Sequence, residues 1–137
     1  KAKDAAVRAE ESANATRSSI YKADSISNCS QAIAILDEIK ISQRKSDWIN
    51  LPDRYSTVRR ILVTLRSVKD QLSDLQVEAI QGALAQLVDI EQKIENSLES
   101  EKKPLSPSKL NAIISSQIDK LHEILISLKQ KDQTNDH

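Results

Sequence analysis

Residues 73–100 read SDLQVEAIQGALAQLVDIEQKIENSLES, and this stretch commits the chain to helices. Ser73, followed three residues on by Gln76, forms a capping box, and Leu72 and Val77 stand where a hydrophobic staple would close over it. Beyond the cap, Val77, Ile80, Leu84, Leu87, Glu91, Ile94 and Leu98 recur at three- and four-residue intervals. That interval brings side chains onto one face of a helix. Glu91 is the single charge inside the seam. The spacing predicts a helix from the Ser73 cap to about Ser100.

Downstream, Glu101-Lys102-Lys103-Pro104 breaks the pattern, and Ser106 caps a further helix with Pro107 at its first position. Leu110, Ile114, Gln117, Leu121, Leu125 and Leu128 mark its inner face. The last residues, KQKDQTNDH from Lys129 to His137, carry no apolar side chain and are expected to form a mobile tail. Upstream, Tyr55, Val58, Ile61, Leu62, Leu65 and Val68 give a helix that starts around Pro52-Asp53, with proline in the first turn and an acid at the positive end of the dipole. Pro52 is expected to hold Leu51 out of helical geometry. Before it, SQRKSDWINL (Ser42 to Leu51) interrupts the periodicity.

The first helix runs from about Ala2 to Ile41. Its early seam is Ala6, Ala9, Ala13, Thr16, Ile20 and Ala23; from Ile26 the stripe changes sides. Ile26, Cys29, Ile33 and Leu36 project roughly 160° away on an ideal wheel. A helix whose stripe changes sides meets two different partners. One reading makes residues 1–24 a coiled-coil stalk paired with another copy, through Ala6, Ala9, Ala13, Ile20 and Ala23. The other makes them an exposed helix sustained by alanine's propensity. Residues 25–130 then form the bundle and 131–137 the tail.

Composition agrees with this pattern. The chain has one glycine, no phenylalanine or methionine, and three prolines, all at segment edges. Glycine and proline turn a chain, so their near-absence from segment interiors, Gly82 apart, leaves long helices. Short links predict antiparallel neighbours, hence an all-α bundle of three to four helices with a long N-terminal helix. Lys and Arg balance Asp and Glu at 20 each, which removes any bulk attraction to nucleic acid or acidic lipid. The charges are unevenly placed: residues 40–69 hold eight basic residues against two acids, and residues 70–101 hold eight acids against one lysine. Two packed helices of opposite sign account for this.

Candidate chemistry is sparse. His122 and His137 belong to no metal-binding spacing, and a single glycine excludes the glycine-rich phosphate loops. No serine sits in G-x-S-x-G, so no catalytic residue, metal or cofactor is expected. Cys29 is alone, which precludes an internal disulfide and favours a reducing compartment; it reads as a small buried hydrophobe. Gly82 lies opposite the seam of its helix, either for close packing or as a tolerated weak spot. Glu91 and Gln117 fall on apolar seams where an unpaired polar group is expensive. They are either a polar site inside a ligand-sensing bundle, or structural groups, with Glu91 paired to an arginine of the second helix or reaching the rim. Facing Glu residues can hold two metals, but such sites also need Glu-x-x-His pairs, which are absent.

Trp48, Arg54, Arg59, Arg60 and Arg66 are a candidate partner surface. On a wheel Arg59 and Arg66 share one flank, Arg60 lies on the other, and Arg54 points toward the apolar side. Nucleic-acid binding through this helix is disfavoured by the neutral total and by too few aromatics for base stacking. Trp48 either plugs the end of the bundle against Ile49, Leu51 and Tyr55 or anchors a partner.

The stretch Glu38-Ile39-Lys40, Trp48, Leu51-Pro52-Asp53-Arg54-Tyr55 and Arg59-Arg60-Ile61-Leu62 resembles a group of uncharacterised small bacterial proteins. In these a short transmembrane or coiled-coil segment precedes a helical domain with a similar W-x-x-L-P-D-R-Y turn. The resemblance covers about a quarter of the chain and implies a membrane-tethered helical module with no family activity.

The functional expectation is a non-enzymatic interaction or oligomerisation module, homo-oligomeric through helix one, with a further protein partner of unspecified identity. The alternatives are a ligand-sensing signalling bundle and nucleic-acid binding through the second helix. No apolar run approaches 18 residues, so a membrane is reached only through a segment upstream of Lys1. The expected location is cytoplasmic, with an inner-membrane tether if such a segment exists.

Overall fold

The computed structural model describes residues 2–68, 70–102 and 106–134, the last four by backbone alone. These residues form four helices: α1 (Ala2–Arg44), α2 (Leu51–Ser67), α3 (Asp74–Ser100) and α4 (Pro107–Thr134). Among the described residues there is no strand. The chain is an all-α bundle with a long N-terminal helix. α1 packs on α2 and α4, and α3 closes the ring against the same two; among the described residues the backbones of the diagonal pairs stay more than 8 Å apart between Cα atoms. Cys29 of α1 meets Leu121 of α4 and Gln43 meets Asn111, so α1 and α4 run antiparallel. Cys29, Leu36, Ile39, Leu51, Leu62, Leu87 and Ile114 are fully buried in one core.

The expected inner face of α4 is buried along its whole length. The capping box of α3 is formed: the Gln76 amide donates to Ser73 Oγ (3.2 Å), and the Ser73 amide donates to Gln76 Oε1 (2.9 Å). Ser106 likewise accepts from the Lys109 amide at the start of α4.

Three boundaries differ from the sequence reading. α1 continues past Ile41 to Arg44, because Gln43 extends the three–four spacing of Leu36 and Ile39 and is itself fully buried. α2 begins at Leu51, not after it. Pro52 occupies the first turn, where the amide it lacks would have no intrahelical acceptor, and burial of Leu51 rewards the helical geometry. α4 runs on to Thr134, through much of the expected tail. Its last stretch holds neither glycine nor proline and is rich in straight-chain residues that lose little freedom in a helix. Residues 135–137, with His137, lie outside the described residues.

The face of α3 is also rotated. Its buried residues are Ile80, Ala83, Leu87, Ile90 and Ile94, while Leu84 and Glu91 are half-buried and Leu98 is exposed. α3 touches both α2 and α4, so its apolar face broadens toward α4 through Ala83 and Ile90 and leaves Leu84 and Glu91 on the α2 side.

Glycine and the left-handed backbone are decoupled in this chain. Ser46 and Glu101 take positive φ (56° and 57°) just past helix C-termini, where glycine is usual, and Asp70 (61°) does so in the α2–α3 turn. The only glycine, Gly82, sits inside α3, and a Cβ there would meet nothing within 4 Å. Gly82→Ala should therefore stabilise the bundle by about 0.5–1 kcal/mol, chiefly by restricting the unfolded chain. A thermal melt rising by roughly 2–4 °C checks this; a fall would place the Gly82 face against another molecule.

Candidate interaction surface

α1 is 43 residues long, about 65 Å at the helical rise. The bundle buries it only from Lys22 to Gln43. Every residue from Ala2 to Tyr21 is exposed, leaving about 30 Å of helix without a covering neighbour. Ala6, Ala9, Ala13 and Ala23 are exposed with Ile20, itself 53% accessible. This stripe lies across the helix from Cys29, Ile33 and Leu36, which are buried. Only the near end of the overhang meets the rim. There Asn14, Arg17, Ser18 and Tyr21 line an open cleft of about 340 Å³ with Asp70 and Gln71 of the α2–α3 turn.

At the opposite end, the W-x-x-L-P-D-R-Y stretch builds the α1–α2 corner. Trp48 is half-buried against the core, Leu51 is buried and Ile49 is 78% exposed, so the corner plug uses Leu51 without Ile49. Arg54 pairs with Glu38 of α1. The Tyr55 hydroxyl donates to Gln43 Oε1, and Gln43 Nε2 donates to Asn111 Oδ1 at 2.6 Å. Asn111 Nδ2 then reaches the Lys40 carbonyl at 3.2 Å. Three helices are thus tied by one buried polar chain. Sequence reasoning missed it because Gln43 fell at the edge of the interrupted stretch. The available signal was its place in the Leu36–Ile39 spacing.

The candidate polar residues separate. Glu91 pairs with Arg59 of α2 at 2.5 Å, as its place on the α2 side dictates. Gln117 is buried and donates to Gln86 Oε1 (3.0 Å) and toward the Ala83 carbonyl (3.4 Å), both on α3. The two residues have no common partner. The groove between α3 and α4 is lined by Leu75, Gln76, Ala79, Lys120, Glu123 and Ile124 instead. The arginines divide as well: Arg54 turns to α1, Arg59 to α3, Arg60 is exposed and Arg66 half-buried.

Cys29 is fully buried and its thiol donates to the Leu121 carbonyl at 3.1 Å. Burial pushes the thiol pKa up to about 11, only partly offset by the Leu125 backbone. Burial likewise raises the Tyr55 hydroxyl pKa, which keeps it a donor to Gln43. His122 is exposed. Among the described residues no group of three or more His, Cys, Asp or Glu is placed to hold a metal, and no helix is long and apolar enough to cross a membrane. No protein-family model, curated protein or solved structure matches the chain.

The thiol makes a sharp prediction. Unfolded, Cys29 ionises near its ordinary value of 9.0, and folded it ionises near 11. The folded state therefore holds its proton longer, and this contribution to stability is complete below pH 9 and lost as pH rises toward 11. In a thiol-reagent assay at pH 8, native protein should label only as fast as it unfolds. Immediate labelling would contradict the buried placement.

Proposed function

We propose that this protein is a non-enzymatic helical interaction module, in which a packed bundle holds one long helix out as the binding surface for another polypeptide. The observation that carries this is the split of α1 into a half buried from Lys22 inward and a half exposed from Ala2 to Tyr21. An isolated helix of this length is marginal in water, so a partner along the overhang would supply the packing that the bundle withholds. Continuity of α1 from that surface into the core ties partner binding mechanically to the bundle. The resemblance at the α1–α2 corner is compatible with a tethered module in which the bundle is the outlying part.

The alternatives draw less support. A ligand-sensing bundle built on Glu91 and Gln117 would need them to converge, and each is engaged elsewhere. Phosphate binding by α2 would draw on Arg54 and Arg59, whose charges already face Glu38 and Glu91.

Light scattering over a concentration series tests the reading, comparing the full chain with a truncation that starts at Lys22. The full chain is expected to gain mass with concentration, and the truncated one to remain monomeric with a melting temperature within a few degrees. Equal gain of mass by the two would remove α1 as the interaction surface.

A further inference from the structure

We infer that the partner of the overhanging helix is a second copy of this chain, docked antiparallel along residues 2–24. This rests on the reading of α1 as the interaction surface and adds the partner and its direction. Charge fixes the partner and its direction, and the small residues decide only how close the helices approach.

Lys3, Glu10, Arg17 and Asp24 recur every seven residues, so they form one column beside the Ala6–Ala9–Ala13 stripe, with signs alternating along it. All four are exposed, and among the described residues none has an ion-pair partner. Arg17 borders Asp70 across the rim cleft without forming a salt bridge. In heptad terms the stripe occupies a and d, with Ala6, Ala13 and Ile20 at a, and the charged column is the e position. The g positions on the other flank are Ala5, Ser12 and Ser19, small and uncharged.

Helix direction follows from these flanks. In a parallel pair each e residue faces the g residue five positions before it on the other helix, so Glu10, Arg17 and Asp24 would face Ala5, Ser12 and Ser19 and no charge in the column would meet its opposite. In an antiparallel pair e faces e. When a residues are layered against d residues, Ala13 lies against the partner's Thr16, Ala9 against the partner's Ile20, and Ala6 against the partner's Ala23. The same register places Lys3 opposite the partner's Asp24 and Glu10 opposite the partner's Arg17. The two-fold axis repeats both pairs, so every charge in the column meets its opposite. Four attractive contacts arise from one register without adjustment, and g against g brings only small side chains together, permitting close approach.

Two structural details fit. Thr16 is the one polar residue in the stripe between Ala6 and Ala23, and its hydroxyl already donates to the Ser12 carbonyl at 3.0 Å. It can be covered without leaving a buried donor unpaired. The stripe also faces away from the buried side of α1, so pairing leaves each core intact and sets the two bundles at opposite ends of the shared rod.

Two sets of full-length variants on these exposed positions test the arrangement. Ala9→Cys and Ile20→Cys are oxidised separately and as an equimolar mixture; the native Cys29, buried, stays out of the reaction. A disulfide-linked dimer is expected only in the mixture. Glu10→Lys and Arg17→Glu each set like charges against each other twice per dimer, and each should weaken self-association about tenfold at low salt. Mixing the two should restore wild-type affinity, because each supplies the complement of the other. Cross-linking of Ala9→Cys with itself, or charge variants that associate like wild type, overturns the antiparallel register while leaving self-association standing. A wild-type chain that stays monomeric at every concentration overturns the second copy as partner altogether.

Discussion

Gln43→Leu is expected to lower the stability of the bundle by about 3 kcal/mol, although leucine fits the site's volume and apolar surroundings. Gln43 is fully buried and central to a directional chain: it accepts from Tyr55 and donates to Asn111, which donates onward to Lys40. Leucine removes both middle bonds and leaves the Tyr55 hydroxyl and Asn111 Oδ1 facing hydrocarbon. A buried polar group stranded in this way costs roughly 1–3 kcal/mol, whereas a matched bond contributes only about 1 kcal/mol net. The loss is therefore set by what remains after the substitution. Adding Tyr55→Phe to Gln43→Leu should recover part of the loss, since it removes one stranded group. Urea unfolding of the two single variants and the double variant measures the coupling. Strict additivity, or a cost for Gln43→Leu below about 1 kcal/mol, would mean that water enters the corner and solvates both groups.

The same corner shows where the amino-acid sequence is readable and where it is not. Helix number, the Ser73–Gln76 box, the Ser106 cap and the inner face of α4 follow from local rules, because each depends on residues within a turn or two of one another. Pairing of Glu91 with an α2 arginine was one of two structural readings open in the sequence, since a carboxylate on an apolar seam must find a cation or reach the rim, and the pair with Arg59 is the one formed. The Tyr55–Gln43–Asn111 chain was not. It joins residues as far apart as Tyr55 and Asn111, and no local rule shows which polar side chains will meet across helices. The rotated face of α3 escaped for a related reason. Spacing identifies the apolar side of a helix, but the flank that broadens depends on which two neighbours it touches, and that is set by the whole ring. Leu51 is the mirror case: a steric preference against helix before proline yielded to burial, because the first turn makes few backbone demands. The change of face within α1 was visible in the spacing of its small and large residues. Spacing alone does not decide what lies on the exposed face, because a stripe of alanine describes a helix waiting for a neighbour as well as one that has none.

Leu36→Ala should cost about 3–4 kcal/mol, and Ile20→Ala on the same helix close to nothing. Leu36 is fully buried on α1, which packs on both α2 and α4, so the walls around it are held by more than one helix and close only in part on a void. The expense has two parts: the transfer free energy of the deleted atoms, and the dispersion attraction forfeited by the walls of a cavity that relaxes only in part. Ile20 is 53% accessible, so within a single chain its truncation opens no cavity. The change of sides along α1 thus becomes measurable as two kinds of loss on one continuous helix. Leu36→Ala should shift the unfolding midpoint while leaving self-association of the folded protein intact. Ile20→Ala should leave the midpoint of the dilute monomer within about 0.5 kcal/mol and weaken association, because it removes the largest side chain from the exposed stripe. If both variants moved the unfolding midpoint equally, the overhang would have to be packed against its own bundle, and the division of α1 into a core half and a presented half would be untenable.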